Sequence, residues 1–347
     1  MRVAIIGAGP SAFYAADALL HQDAIDVRID MFDRLPTPYG LVRAGVAPDH
    51  QKIKSVTKAF AHVAEDPRFR FFGNVAFGRD LLLEELEENY HQVVFATGAQ
   101  SDKHMGIPGE GLIGSHPATA FVAWYNGHPD FRDQEFDLSQ ERVAIVGVGN
   151  VAIDVARILC LSPAELAVTD MADYAIAALS ESKVREVHLL GRRGPAQAAF
   201  TNPELKELGE LADADIIIRE DEAALDPVSA EVMAESSDRS LQRKVELIQS
   251  YAHREPTGRG RRLYMRFLVS PVELIGGPDG RVERMSIVRN RLTRSATGTV
   301  LSEATDDFQE LEVGLVFRSV GYRGAPIPGI PFHDKWGVVL NEKGRVL

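Results

Sequence analysis

The chain has 347 residues, 45% hydrophobic and 25% charged, which is long enough for two domains that need no disulfides or metals. Its 50 acidic and 38 basic residues leave a net charge of −12, which argues against general nucleic-acid binding, and no stretch of about 20 apolar residues predicts a membrane helix, so we expect a cytoplasmic protein. The one cysteine, Cys160, excludes an intrachain disulfide, a CxxC redox pair and a multi-cysteine metal site.

The first element is an apolar strand over 2–6, followed by a glycine-rich turn and a helical pattern that continues to Leu20. The turn consists of Gly7, Ala8, Gly9, Pro10, Ser11 and Ala12. In such a turn the first glycine permits the tight bend, the second lets the backbone approach a pyrophosphate, and the alanine allows close packing. The N–H groups that open the helix then bind phosphates. A simple glycine turn is the alternative.

A second strand, predicted over 27–33, ends at Asp33, 26 residues after Gly7. A carboxylate at this position accepts hydrogen bonds from ribose hydroxyls, which strengthens the prediction of a dinucleotide site. We expect a loop over 34–48, a helix over 51–65 and a strand over 92–96 that ends at Thr97 and Gly98. The stretch 104–117, rich in proline, glycine and histidine, is a candidate linker.

The same unit occurs again about 140 residues later, with a strand over 142–146 and a helical pattern through Leu161. Between them lie Gly147, Val148, Gly149, Asn150, Val151 and Ala152. This separation is too long for a solenoid repeat and fits two dinucleotide-binding units in one chain. The alternation of strands and helices indicates the α/β class.

The second unit differs from the first at the position that would contact the ribose. A strand predicted over 184–190 is followed by Gly191, Arg192 and Arg193, without a carboxylate at its end. Two adjacent guanidinium groups suit a 2′-phosphate, which a carboxylate would repel. The alternative is a solvated arginine pair. The spacing from Gly147 is longer than usual, so we interpret 162–183 as an insertion, and strands of mixed polarity fill 263–318.

Several strings resemble those of adrenodoxin-reductase-type ferredoxin–NADP reductases, and the resemblance runs along the whole chain. The longest is Leu41-Val42-Arg43-Ala44-Gly45-Val46-Ala47-Pro48-Asp49-His50, and the others are Gly147-Val148-Gly149-Asn150-Val151-Ala152-Ile153-Asp154 and Gly191-Arg192-Arg193-Gly194-Pro195 with Phe200-Thr201. The resemblance implies a glutathione-reductase-like flavoprotein with two Rossmann-like dinucleotide-binding domains of three-layer ββα type. It implies an FAD-binding domain over 1–103, an NADP-binding domain over 104–316, and a return into the FAD-binding domain over 317–347.

The resemblance also implies roles for individual residues. FAD would be held by the first turn together with Asp33 and Leu41, and Gly98 and Lys103 are further candidate cofactor-binding residues. NADP would be held by the second turn, with Asn150, Val151 and Ala152 at the pyrophosphate and with Arg192, Arg193 and Glu204 around the 2′-phosphoadenosine end. Glu204 would orient an arginine or bind a ribose hydroxyl, or else be a solvated carboxylate. His50 and Asp154 would lie near the nicotinamide and the isoalloxazine, where they would act in orientation, electrostatics or proton handling. A loop histidine and a capping carboxylate are the alternatives.

The activity implied is hydride transfer from NADPH to FAD, followed by transfer of single electrons to a ferredoxin-type iron–sulfur protein. Segment 239–266 carries eight basic and two acidic residues, so Arg239, Arg243 and Lys244 are candidates for docking an acidic ferredoxin, with a solvated basic surface as the alternative. We expect a monomer that binds neither nucleic acid nor membrane. The alternatives are a non-catalytic NADP-binding sensor or assembly partner, and another two-dinucleotide flavoprotein reductase.

One feature of the family is not found in this sequence. Family members continue to a Gly-Trp motif and a Gly-Pro-x-Gly-x-Ile-x-Thr-Asn stretch at the flavin ring, whereas this sequence ends at Leu347. The resemblance therefore implies a fragment or a shortened member, and we expect the chain to keep NADP binding and to hold FAD weakly.

Overall fold

The computed structural model describes residues 1–99 and 101–347, which form two compact units. Unit 1 consists of Met1–Lys103 and Gly321–Leu347, and unit 2 consists of His104–Val320. The chain therefore returns to unit 1 after Val320, a few residues later than the sequence predicts.

The first segment of unit 1 is built around a parallel sheet. Its elements are β1 (Arg2–Ile6), α1 (Pro10–Leu20), β2 (Arg28–Phe32), α2 (Leu41–Ala44), α3 (Gln51–Lys54), α4 (Thr57–Ala64), β3 (Phe69–Phe72), α5 (Leu83–Asn89), β4 (Gln92–Phe95) and β5 (Ser101–Asp102). The four-stranded sheet has the order β3-β2-β1-β4. Val3 and Ile5 of β1 point into one core and Ala4 and Ile6 into another, which explains why this strand is apolar from Val3 to Ile6.

Unit 2 is larger and contains a six-stranded parallel sheet. Its elements are β6 (Ser115–Pro117), α6 (Ala118–Tyr125), β7 (Arg142–Val146), α7 (Asn150–Cys160), α8 (Pro163–Leu166), α9 (Asp173–Ser180), β8 (Glu186–Leu190), α10 (Asn202–Leu208), β9 (Ala214–Ile218), α11 (Glu220–Ala223), α12 (Pro227–Glu235), α13 (Arg239–Ala252), β10 (Arg261–Arg266), β11 (Val269–Gly276), β12 (Val282–Arg294), β13 (Val300–Glu312) and β14 (Leu315–Arg318). The parallel sheet has the order β6-β14-β7-β8-β10-β9, and β11, β12 and β13 form an antiparallel sheet.

These elements of unit 2 form three layers. Val143 and Ile145 of β7 belong to a core with the helices, whereas Ala144 and Val146 belong to a core with the antiparallel sheet. The antiparallel sheet, the parallel sheet and the helices therefore follow one another, which is a ββα arrangement. The α/β class predicted from the sequence is confirmed.

The second segment of unit 1 contains only short strands. They are β15 (Tyr322–Arg323), β16 (Phe332–His333), β17 (Val338–Val339), β18 (Asn341–Glu342) and β19 (Arg345–Val346). Strand β15 pairs antiparallel with β5, so the start of the second segment is hydrogen-bonded to the first segment of the same unit. Across residues 1–99 and 101–347, no helix combines the length and apolar character needed to cross a membrane.

The structure corrects three local predictions. The helix predicted over 51–65 is divided into α3 and α4, where the hydroxyls of Ser55 and Thr57 donate to the carbonyls of Lys52 and Lys54 and compete with helical hydrogen bonds. The loop over 34–48 contains the single turn α2. The candidate linker over 104–117 ends in β6, which pairs with β14 at the edge of the sheet.

Candidate dinucleotide-binding sites

The turn after β1 leaves the start of α1 open. Gly7 has a φ of +103°, and a Cβ there would lie 2.4 Å from the carbonyl oxygen of Ala96, so the position requires glycine. A Cβ on Gly9 would meet no atom within 4 Å, and this N-cap of α1 has no side-chain cap in the described part of the chain. The helix N-terminus therefore suits an anion. Pro10 is the first helical residue, Ser11 is exposed and Ala12 is fully buried.

Asp33 connects this turn to the end of β2. One carboxylate oxygen accepts the N–H of Ala8 and the other accepts the N–H of Leu35, each at 2.8 Å. Each oxygen keeps a lone pair that can accept a ribose hydroxyl. Asp33 also lines a cleft of about 210 Å³ together with Gly7 and Gly98, which gives an adenosine-sized group a place beside the turn.

Two other stretches that line this cleft were not identified from the sequence. They are residues 75–77, which precede α5, and residues 325–328, which belong to the second segment of unit 1. The run Ala325-Pro326-Ile327-Pro328 is a visible signal of irregular backbone, but nothing in its composition indicates which part of the chain it contacts. Residues 75–77 carry no such signal.

The loop that contains the family string rests against the first glycine turn. The N–H of Tyr39 donates to the carbonyl of Ala8 at 2.8 Å, and a Cβ on Gly40 would lie 2.8 Å from the Cα of Gly9. Leu41, the first residue of α2, is 67% exposed, so its side chain is available to a ligand.

Three further candidate residues of unit 1 lie outside the turn. His50 is buried and is the N-cap residue of α3, and its own N–H donates to the carbonyl of Ala47 at 3.0 Å. Gly98 has a φ of +72° and lines the cleft. Lys103 has an exposed side chain, and its N–H donates to the carbonyl of Gly321 at 2.9 Å. The Lys103 backbone therefore links the two segments of unit 1.

The turn after β7 repeats the geometry of the first turn. Gly147 has a φ of +132°, and a Cβ there would lie 2.2 Å from the carbonyl oxygen of Ser319. A Cβ on Gly149 would meet no atom within 4 Å, and no side chain among the described residues caps α7 at this N-cap. Asn150 accepts the N–H of Thr201 at 3.0 Å, and it is followed in α7 by half-buried Val151 and fully buried Ala152.

Arg192 and Arg193 follow the end of β8. Arg192 is exposed and Arg193 is half-buried, and neither forms an ion pair in the part of the chain that the structure describes. Burial, and then the positive charge of Arg192, lower the pKa of Arg193. Strand β8 is the parallel neighbour of β7, so the arginine pair and the turn into α7 follow the same ends of adjacent strands. Two positive charges without a carboxylate partner among the described residues form a site that suits a phosphate.

Asp154 lies within α7 and is held by an ion pair. Its Oδ1 accepts Nη2 of Arg157 at 2.7 Å, and Nη1 of Arg157 lies 3.3 Å from a carboxylate oxygen of Glu207. Asp154 and Arg157 are both buried. Since Gly149 is the N-cap of this helix, the capping alternative for Asp154 does not apply. Glu204, in the first turn of α10, is also buried, so it is not a solvated carboxylate.

The basic segment 239–266 is less positive than its composition suggests. Arg261, Arg262 and Arg266 form ion pairs with carboxylates outside the segment, with N–O distances of 2.8 Å, 2.5 Å and 2.8 Å. These partners are Asp213, Glu186 and Glu222. Much of the expected local charge is therefore neutralised within unit 2.

Helix α13 carries the three candidate docking residues. Arg239 is exposed, and Arg243 is exposed with an ion pair to Glu246 at 3.5 Å. Lys244 is half-buried, and its ammonium donates to the carbonyl of Ala198 at 2.7 Å. Burial also lowers the pKa of Lys244. The exposed positive charge of this helix therefore comes from the two arginines.

The single thiol is not placed for redox chemistry. Cys160 is fully buried at the end of α7, and burial raises its pKa to about 12. The thiolate, which is the reactive form, is therefore scarce at neutral pH.

Comparisons with known proteins connect both turns to one family. The family described as pyridine nucleotide-disulphide oxidoreductase matches residues 1–193. The chain is 48% identical over 348 residues to the NADPH-ferredoxin reductase FprA of Mycobacterium tuberculosis, covering 99% of this chain and 75% of that protein. It is 42% identical over 356 residues to the mitochondrial NADPH:adrenodoxin oxidoreductase of Arabidopsis thaliana, covering 100% and 73%.

A solved structure of one of these relatives is also similar to this chain. The structure of Mycobacterium tuberculosis FprA in complex with NADPH superposes with a TM-score of 0.94 at 48% identity. The match covers 99% of this chain and 76% of that chain. The similarity therefore extends over both units and includes both glycine turns.

Proposed function

Because the chain belongs to the adrenodoxin-reductase-type family of NADPH–ferredoxin reductases, we propose that it oxidises NADPH and passes the electrons through FAD to a ferredoxin-type iron–sulfur protein. The net reaction converts one NADPH and two oxidised ferredoxins into NADP⁺, a proton and two reduced ferredoxins. FAD, when bound, supplies the conversion between a two-electron hydride and single electrons.

The observation that carries this proposal is that β2 is followed by a carboxylate and β8, at the equivalent place in the second unit, is followed by two guanidinium groups. Both glycine turns leave a helix N-terminus open to a pyrophosphate. After β2 the chain presents the carboxylate of Asp33, which suits ribose hydroxyls. After β8 it presents Arg192 and Arg193, which have no ion-pair partner among the described residues and suit a 2′-phosphate. We therefore assign FAD to unit 1 and NADP to unit 2.

The residues of unit 1 would bind and orient FAD. The N–H groups at the start of α1 would bind the pyrophosphate, and the cleft beside Asp33 would hold the adenosine. Leu41, exposed on the loop over the turn, would cover part of the flavin side. The positions of Gly98 at the cleft and of Lys103 at the junction of the two segments agree with supporting roles.

The residues of unit 2 would bind and orient NADP. The start of α7, with Asn150, Val151 and Ala152, would meet the pyrophosphate, and Arg192 and Arg193 would bind the 2′-phosphate. Glu204 would act on the ribose or on one arginine. Hydride transfer needs no protein acid or base, so we assign His50 and Asp154 to orientation and electrostatics. The buried ion pair with Arg157 fixes Asp154 for such a role.

The partner would be an acidic ferredoxin that docks through exposed basic side chains. Arg239 and Arg243 are the candidates on α13, whereas Lys244 is already engaged by the carbonyl of Ala198. The cytoplasmic location and the monomeric state expected from the sequence stay predictions.

The test is an electron-transfer assay on the purified chain supplemented with FAD. We expect visible flavin absorbance, NADPH-dependent reduction of a ferredoxin, and much slower reduction with NADH. Reduction of a small neutral dye serves as a control for the flavin step. A colourless protein that binds NADPH but reduces neither acceptor would refute the reductase and support the sensor alternative.

A further inference from the structure

The loop with Arg192 and Arg193 is fixed by hydrogen bonds to three consecutive carbonyls. The carbonyl of Gly191 accepts the N–H of Val269 at 3.0 Å, and that of Arg193 accepts the N–H of Leu268 at 3.2 Å. The carbonyl between them, that of Arg192, accepts the side-chain amide of Asn290 at 2.8 Å. One side chain from the antiparallel sheet thus holds the first arginine.

Asn290 is itself firmly held. It is 5% exposed and lies on β12, at a register shift in the pairing with β13. Its Nδ2 donates to the hydroxyl of Ser270 at 2.8 Å as well as to Arg192, so both amide hydrogens are used. Its backbone N–H donates to the carbonyl of Leu268 at 2.6 Å. Asn290 therefore contacts the loop directly and also through Leu268.

Leu268 needs this support because its backbone is in an unfavourable conformation. Its φ is +57°, in the left-handed region that residues other than glycine rarely adopt. Such a conformation persists where surrounding contacts fix it. The N–H of Leu268 donates to Arg193 and its carbonyl accepts from Asn290, so the contacts that fix Leu268 also fix the second arginine.

The arginine loop also carries a repulsion that local ion pairs do not relieve. Arg192 and Arg193 are adjacent, and neither has a carboxylate partner among residues 1–99 and 101–347. Like charges at neighbouring positions favour a spread of conformations, whereas a bound phosphate requires both guanidinium groups to converge. Hydrogen bonds to the backbone can hold the loop without neutralising the charge that a phosphate needs.

We propose that Asn290 is a positioning residue for recognition of the 2′-phosphate of NADPH, acting through the backbone of Arg192 and Leu268. This inference rests on the proposed function, because it takes the arginine pair as the 2′-phosphate site. Asn290 does not contact the ligand in this role. Its loss lowers the preference for a 2′-phosphorylated ligand and leaves binding of the unphosphorylated ligand unchanged.

The test is calorimetric titration of the full chain with 2′,5′-ADP and with 5′-AMP, which differ only in the 2′-phosphate. FAD is present so that the first site is filled. Asn290→Leu should weaken binding of 2′,5′-ADP on the order of tenfold, since a charge-assisted contact is misplaced, and should leave 5′-AMP unchanged. Asn290→Ala provides the same measurement if the leucine variant does not fold.

A matched control and a double-mutant cycle separate positioning from general damage. Ser270→Ala removes the other bond of the Asn290 amide but keeps the bond to Arg192, so it should weaken binding of 2′,5′-ADP less than Asn290→Leu does and leave 5′-AMP unchanged. In an Arg192→Ala/Arg193→Ala background, Asn290→Leu should have no further effect on 2′,5′-ADP. Equal weakening of both ligands by Asn290→Leu, or no change in either, would overturn the inference. If the arginine variant itself binds 2′,5′-ADP like the parent, the assignment of the NADP site fails instead.

Discussion

Two glycines that are two residues apart in the second turn should respond in opposite ways to substitution by alanine. At Gly147 the φ of +132° and a Cβ only 2.2 Å from the Ser319 carbonyl oxygen force the backbone to move. Left-handed strain of about 1–2 kcal/mol and overpacking of about 1–3 kcal/mol predict a loss of roughly 2–5 kcal/mol. For a domain of this size that is a fall in Tm of about 5–20 °C.

Gly149→Ala should instead leave the fold intact and remove the ligand. The φ of −105° suits alanine, and the new Cβ meets no atom within 4 Å. The free energy of unfolding should therefore rise by about 0.4–1 kcal/mol. The methyl group would occupy the space through which the backbone approaches a pyrophosphate. Loss of two hydrogen bonds to a charged group, about 1.5–3 kcal/mol each, predicts at least about a hundredfold weaker binding of NADP⁺.

Thermal unfolding and calorimetric titration of NADP⁺ on the same two variants test this reasoning. The expected results are a large fall in Tm for Gly147→Ala, and an unchanged or higher Tm without NADP⁺ binding for Gly149→Ala. A Gly149→Ala variant that binds NADP⁺ like the parent would refute the placement of the pyrophosphate. A Gly147→Ala variant with the parental Tm would show that the turn relaxes without strain.

Three further predictions concern charged and titratable groups. Replacing Arg192 and Arg193 with alanine should weaken NADPH by about 30- to 1,000-fold in binding or KM measurements and leave NADH unchanged, because charge-assisted bonds to the 2′-phosphate contribute roughly 2–4 kcal/mol when one partner is exposed. Replacing Arg239 and Arg243 with glutamate should lower the rate of ferredoxin reduction and make that rate less sensitive to ionic strength, because salt screens exposed charges over about 8 Å. The rate of dye reduction should not change. His188 is buried, and burial lowers its pKa to about 4, below the unfolded value of about 6.5, so its neutral form contributes stability above pH ~6.5 that is lost as pH falls toward 4. His188→Gln should reduce this loss in urea unfolding measured from neutral to acidic pH.

Each of these predictions has an outcome that contradicts it. Equal losses for NADPH and NADH would remove the arginine pair from 2′-phosphate recognition. Ferredoxin turnover that survives both glutamate substitutions would leave α13 as a solvated basic surface. If His188→Gln loses stability in acid as steeply as the parent, other groups dominate the acid transition.

The parts of the site that depend on short-range geometry could be predicted from the sequence. At Gly7 and at Gly147 a Cβ would overlap the backbone that follows a neighbouring strand, so both positions require glycine. The spacing of the glycine motif in the sequence already indicates this requirement. The position of Asp33 at the end of β2 follows from the alternation of strand and turn in the same way. The spacing of the glycines and the order of strand and turn are therefore enough to identify both turns from the sequence.

The parts that depend on distant segments could not be predicted. The cleft beside Asp33 is lined by residues 325–328, which lie far away in the sequence, and no periodicity indicates that contact. The charge of segment 239–266 was overestimated because Asp213 and Glu186 come from neighbouring parts of the sheet. The contact between Asn290 and Arg192 likewise depends on how the antiparallel sheet lies against the parallel one.

The division of unit 1 into two segments has a consequence for how the protein is made. Unit 2 is contiguous, whereas β5 has to wait for β15, and the cleft has to wait for residues 325–328. A polypeptide that leaves the ribosome N-terminus first can complete unit 2 while unit 1 still lacks one wall. The contacts that close unit 1 join residues more than 200 positions apart in the sequence, so they can form only after the second segment has been synthesised. On a translating ribosome, capture of a dinucleotide by the second site would therefore precede capture by the first.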